Sequence, residues 1–119
     1  MKENKVFIIA EAGVNHNGSA DLAKRLIDVA YNSGADAVKF QTFKAELCIS
    51  KNAQKADYQK QATDASESQY DMIKKLELDV DTHKELIAHC QKKDIMFLST
   101  PFDHESINLL SDLGLDIFK

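Results

Sequence analysis

Two β-forming runs flanking a single amphipathic helix constrain this chain more than any other feature. Val6-Phe7-Ile8-Ile9-Ala10 is continuous and apolar, the pattern of a strand covered on both faces. It runs into Glu11-Ala12-Gly13-Val14-Asn15-His16-Asn17-Gly18, a loop with two glycines and three potential side-chain ligands. Ser19 is placed to cap a helix, with Asp21 favourable in its first turn. Leu22, Ala23, Leu26, Ile27 and Ala30 then recur at helical spacing, and Gly34 is suited to close the helix. Ala37-Val38-Lys39-Phe40-Gln41-Thr42-Phe43 is the next strand. Strand, loop, helix, turn and strand make a βαβ unit, whose strands run parallel with a right-handed crossover.

The same alternation continues. The polar stretch from Thr42 to about Ser66 lacks strong periodicity, with a helical turn expected near Lys55–Gln61. A connection of that length is usually functional or mobile, and Tyr58 and Lys60 in it are candidates to cover a site. Ser66-Glu67-Ser68-Gln69 resembles a capping box opening a helix through Tyr70, Ile73, Lys74 and Leu76–Glu77. A further helix is expected from Asp81 or Thr82, burying Leu86, Ile87 and Cys90. Met96–Thr100 reads as a third strand stopped by Pro101. Asp103 can cap a last helix whose apolar face is Ile107, Leu110 and Leu113, closed by Gly114. Asp116–Lys119 reads as the start of a fourth strand.

Side chains alternate across a strand, so Lys39 and Gln41 share one face of theirs while Val38 and Phe40 share the other. A lysine among apolar neighbours is seldom buried without a partner. From that stretch alone, an exposed sheet face and a ligand-lined face are both consistent readings. The other strand ends bear on the choice: Glu11, then Lys39 with Gln41, then Ser99 with Thr100, then Lys119 place polar groups at each C-terminal end. Enzymes built as (β/α)8 barrels assemble their sites from those ends. The first βα loop lacks the GxGxxG dinucleotide pattern, which disfavours a doubly wound alternative. The fold expected is therefore α/β, the N-terminal portion of a TIM barrel with about four βα units. A full barrel needs roughly 250 residues, so residues 1–119 read as its first half.

Composition narrows the partners. Fifteen basic and nineteen acidic residues give a net charge of −4 without a basic block, which argues against nucleic acid. The apolar run at Val6 is too short for a membrane helix or a signal-peptide core. Cys48 and Cys90 are isolated and outside any CxxC spacing, which reads as reduced thiols in a cytoplasmic protein. His83, His89 and His104 fall in helical segments as surface or packing residues, and no HExxH-like spacing assembles a metal site.

Four stretches carry a family resemblance: Ile9-Ala10-Glu11-Ala12-Gly13-Val14-Asn15-His16-Asn17-Gly18-Ser19, Ala37–Phe43, Lys75-Leu76-Glu77-Leu78 and Phe97-Leu98-Ser99-Thr100-Pro101-Phe102-Asp103. In this order and spacing they resemble the sialic acid synthases, closest to the bacterial N-acetylneuraminate synthase branch that includes legionaminic acid synthases. The resemblance implies a barrel that condenses phosphoenolpyruvate with an N-acetylmannosamine-type sugar, consuming water and releasing phosphate. It also implies a divalent metal, Mn2+ or Mg2+, with ligands outside this chain. A homodimer and a C-terminal antifreeze-like domain, likewise outside the chain, are implied as well.

Phosphoenolpyruvate carries a phosphate and a carboxylate, so its site needs cations and donors in fixed positions. Lys39 and Lys119 would supply charge, and Gln41, Ser99 and Thr100 hydrogen bonds. By resemblance, Lys39, Thr100 and Lys119 match phosphoenolpyruvate contacts, Gln41 a nearby site residue and Glu11 an active-site carboxylate. Glu11 could orient sugar or water, move a proton, or pair with Lys39, and these roles are compatible. Asn15 and His16 are expected to shape the first loop through hydrogen bonds. A Schiff-base aldolase using Lys39 and a non-catalytic anion-binding module are the competing readings.

Overall fold

The computed structural model describes residues 5–50, 54–62 and 66–119. Among them, three parallel strands, β1 (Ile9–Gly13), β2 (Ala37–Thr42) and β3 (Met96–Pro101), lie side by side in that order. Helix α1 (Ala20–Asn32) crosses over between the first two strands. Between β2 and β3 the described residues form three short helices, α2 (Ala45–Cys48), α3 (Asp57–Ala62) and α4 (Gln69–Lys74), then the longer α5 (Val80–Lys93). Helix α6 (His104–Asp112) follows β3. No helix of the described residues is long and apolar enough to cross a membrane.

Local chemistry explains most boundaries. The Ser19 hydroxyl accepts from the Leu22 amide at 3.2 Å, and Asp79 and Asp103 cap α5 and α6 through Thr82 and Ser106. The α4 cap is Ser68 rather than Ser66: its hydroxyl accepts from the Asp71 amide, and the helix ends at Lys74. Helix α5 begins before the expected Asp81, because Asp79 supplies the cap.

The first strand departs from the periodicity reading. Val6, Phe7 and Ile8 lie outside it and are exposed, and pairing begins at Ile9 opposite Ala37. The Asp36 carboxylate takes the Ile8 amide at 2.8 Å, and the Ile8 carbonyl accepts from the Asp36 and Ala37 amides. These bonds tie the incoming chain to the turn before β2, so the strand is displaced towards Glu11. The fourth strand is not formed either. Asp116–Lys119 lies outside any strand, and the Lys119 amide donates to the Ser99 carbonyl at 3.3 Å. Three βα units, not four, are therefore built in the described residues.

The core lies between the sheet and helices α1 and α5. Val38, Phe40 and Phe97 point that way, the two rings stacked at 5.5 Å, against Ala23, Ile27, Ala30, Leu86 and Cys90. The opposite face of β2 carries Lys39 and Gln41. The helices thus claim one face of the sheet, and Lys39, Gln41 and Thr100 lie on the other together with Ala37 and Leu98.

Candidate functional site

Parallel register assembles the site. Glu11 lies opposite Lys39, Lys39 opposite Leu98 and Gln41 opposite Thr100, so Glu11, Lys39, Gln41 and Thr100 share one face. Lys39 and Glu11 form an ion pair on that face; the lysine side chain is 9% exposed and the glutamate 52%. The ammonium is thus largely desolvated, beside a carboxylate that reaches solvent. Partial burial strengthens its field, and the carboxylate supplies the partner it needs.

Gly13 makes room for this pair. A bulge between Glu11 and Gly13 shifts the register, and Gly13 has φ +57°. A β-carbon there would lie 3.4 Å from Glu11 Oε1 and 3.7 Å from Gln41 Nε2. The carboxylate and the amide therefore flank the same bare backbone. Beside them, Gln41 also lines a cavity of about 400 Å³ whose other walls include Val14, Phe43, Cys48, Met72 and Ile73. A polar edge next to an apolar recess suits a ligand with both kinds of group.

Two carboxylates fix the segment that follows β2. Glu77 accepts from the Ala45 amide at 3.0 Å and pairs with Lys44 and Lys74. Burial alone would raise the Glu77 pKa, but the Ala45 amide and the two lysines outweigh it and hold it below the usual carboxylate value. Asp103 accepts from the Lys44 amide at 2.8 Å while capping α6. Burial pushes its pKa up; the Lys44 and Ser106 amides, with the Ser106 hydroxyl and Cys48 thiol, bring it net down. Sequence reasoning gave Asp103 a helix cap alone and Glu77 no role. The signal available was that both sit in the stretches carrying the resemblance.

The remaining candidates separate. Ser99 is not on the Lys39 face: it lies opposite Phe40 and its buried hydroxyl bonds Thr42 Oγ1 at 2.7 Å. The alternation of strand side chains forbids Ser99 and Thr100 from facing one ligand together, so Ser99 is removed from the direct contacts. Lys119 is exposed. His16 is fully buried; its Nδ1 accepts from the Gly18 amide at 2.9 Å, folding the loop back on itself, while its Nε2 has no partner among the described residues. Burial, then the nearby His83, lowers the His16 pKa and keeps the ring neutral. Asn15 is exposed, with its backbone amide on the Ala12 carbonyl. Tyr58 and Lys60 are exposed on α3 and do not line the cavity. His83 is fully buried and joined to Thr42, more than the packing residue expected from sequence. Among the described residues no three His, Cys, Asp or Glu converge to hold a metal ion.

A parallel α/β unit with a paired lysine and carboxylate, an amide and a hydroxyl at its strand ends offers a cation and hydrogen-bond donors on one face, at the end of the sheet where barrel enzymes place their sites. The model of the NeuB family matches residues 26–119, and the chain belongs to that family. It is 63% identical to the N,N'-diacetyllegionaminic acid synthase of Campylobacter jejuni over 97% of this chain and 34% of that protein. It is 51% identical to the enzyme of that name from Legionella pneumophila, over 95% and 32%. The N-acetylneuraminic acid synthetase of Leptospira borgpetersenii, solved with citrate, superimposes with TM-score 0.79 at 37% identity, over 97% of this chain and 35% of that one. The chain spans about a third of the length of these relatives.

Proposed function

We propose that this chain is the N-terminal part of a (β/α)8 barrel that condenses phosphoenolpyruvate with an N-acetylmannosamine-type sugar. The products are a nine-carbon 2-keto acid and phosphate. The observation that carries the reading is the Lys39–Glu11 pair in register with Gln41 and Thr100 on one sheet face.

Each residue has a role that its surroundings support. Lys39, a fixed and largely desolvated cation, holds the anionic end of phosphoenolpyruvate, and the Thr100 hydroxyl and Gln41 amide complete the donor set. Glu11 is the group on this face able to move a proton. As C3 of phosphoenolpyruvate bonds to the aldehyde carbon, the Glu11 carboxylate takes a proton from the water that adds at C2 and passes it to the aldehyde oxygen that becomes a hydroxyl. Water then supplies the new keto oxygen and phosphate leaves, which balances the reaction. The apolar recess beside Gln41 accommodates the methyl of an N-acyl substituent on the sugar. The divalent ion belonging to this proposal would take its ligands from outside this chain, as would the second subunit and the antifreeze-like domain. A cytoplasmic location is part of the same reading.

The ion pair also weighs against the aldolase alternative. The Lys39 nitrogen is held by Glu11, whereas a Schiff-base lysine must turn its amine onto a carbonyl carbon. The test is phosphate release by the full-length protein, expected only when phosphoenolpyruvate, an acetamido-mannose aldehyde and Mn2+ or Mg2+ are all present. Absence of release with every acetamido-mannose sugar tried would refute the proposal. Borohydride trapping of pyruvate on Lys39 would instead favour the aldolase.

A further inference from the structure

A second polar group lies behind the site, on the face of the sheet that packs against α5. His83 is fully buried there, as is Ser99, and Thr42 is 3% exposed. His83 Nδ1 lies 2.8 Å from the Asp79 carbonyl, His83 Nε2 lies 2.8 Å from Thr42 Oγ1, and Thr42 Oγ1 lies 2.7 Å from Ser99 Oγ. The donors can be assigned from one end. A carbonyl only accepts, so Nδ1 carries the proton, and a neutral ring then leaves Nε2 as a pure acceptor. Thr42 must donate to Nε2, and Ser99 must donate to Thr42. The chain of bonds has one direction.

Its position relative to the candidate site is what gives it a consequence. Thr42 directly follows Gln41 and Ser99 directly precedes Thr100, and Gln41 and Thr100 are paired in register. The buried bonds therefore tie the C-terminal ends of β2 and β3 together from below, one residue away from the groups that face the ligand. We propose that His83, acting through Thr42 and Ser99, is a positioning residue for Gln41 and Thr100. This rests on the function proposed above.

The direction of the chain predicts how it fails. A protonated ring would turn Nε2 into a donor, and Thr42 would have to accept from it; the network would then hold one proton too many, and either the Thr42 or the Ser99 hydroxyl would be left without an acceptor among the described residues. A buried hydroxyl without an acceptor is costly. The titratable groups facing the ring are Asp79 at the α5 cap, Lys44 after β2 and the neutral His16 on the β1–α1 loop. Burial is the largest influence and lowers the His83 pKa; Asp79 opposes it and Lys44 adds to it. The neutral, bond-accepting ring is thus the form present at neutral pH, and the chain breaks only as acid is added.

The experiment is steady-state phosphate release by the full-length protein carrying Thr42→Val, Thr42→Ser, His83→Leu or His83→Gln. In Thr42→Val and His83→Leu the KM for phosphoenolpyruvate is expected to rise about tenfold at about pH 7.5. In the wild type KM rises further as the pH is lowered below the ordinary imidazole value of about 6.5, and Thr42→Val loses that additional rise because the ring is no longer linked to the strands. Thr42→Ser and His83→Gln, which keep a bonding group in place, recover KM to within about threefold of wild type. If His83→Leu does not fold, the comparison of Thr42→Val with Thr42→Ser decides the matter. Variants that melt earlier but keep the wild-type KM and its pH dependence would show a purely structural network and overturn the inference. Absence of phosphate release by the wild type would instead refute the proposed function itself.

Discussion

Replacing Lys39 by methionine separates the lysine's two roles. The side chain is 9% exposed, so methionine retains the buried stem, while the partner lost by Glu11 leaves a carboxylate 52% exposed to water. An exposed partner screens the pair, whose contribution to stability is about 0–1 kcal/mol. Removing the desolvated ammonium returns a similar amount, so the change in unfolding free energy should stay within about 1 kcal/mol, or about 3 °C in Tm. Ligand binding behaves differently. A charge-assisted hydrogen bond to an anion is worth roughly 1.5–3 kcal/mol, which is about ten- to hundredfold in affinity. Titration calorimetry with phosphoenolpyruvate on the full-length protein, alongside thermal melting, reads both quantities on one sample. Loss of affinity with an unchanged Tm is expected. A variant that binds as tightly as wild type would refute the assignment of Lys39 to the anion, and one that melts more than about 10 °C lower would show that the pair is chiefly structural.

Other perturbations follow from the same geometry. Glu77 and Asp103 have pKa values below their ordinary 4.5 and 3.8. Their contribution is therefore complete above those values and lost as the pH falls through the lowered ones. Melting scans should show Tm constant above about pH 5 and declining below about pH 4, with Glu77→Gln flattening the decline. Gly18 has φ +79°, and a β-carbon on it would lie 2.2 Å from the Lys75 carbonyl oxygen, so Gly18→Ala should cost roughly 2–4 kcal/mol in denaturant unfolding. Burial raises the Cys90 thiol to about 12 while Cys48 is exposed; peptide-mapped alkylation should label Cys48 in the native protein and Cys90 only on unfolding. Ile73→Phe narrows the recess beside Gln41 and should raise the KM for an N-propanoyl acceptor relative to N-acetyl by about fivefold or more, leaving that for phosphoenolpyruvate unchanged.

Much of this protein is legible in one dimension because the determinants are local. Periodicity and capping are properties of neighbouring residues, which is why α1, α5, α6 and the strands β2 and β3 stand near their sequence positions. Side-chain alternation placed Lys39 with Gln41 for the same reason. The displacement of β1 was not legible, because Asp36 sets where pairing begins and lies 28 residues from Ile8. The Ser68 cap was missed because Ser66 fits the same pattern three residues before Gln69, and only the folded helix shows which hydroxyl meets an orphan amide.

Sequence alone determined which side chains share a face of each strand, since a pleated backbone repeats every two residues. It could not determine which face belongs to the helices and which to a ligand, because that depends on where α1 and α5 lay their apolar stripes. Tertiary packing made that decision: Phe40, Phe97 and Ser99 were drawn under the helices, and Lys39, Gln41 and Thr100 were left opposite. It also brought Glu11 to Lys39 and His83 to Thr42, contacts that depend on strand register and helix docking rather than on distance along the chain.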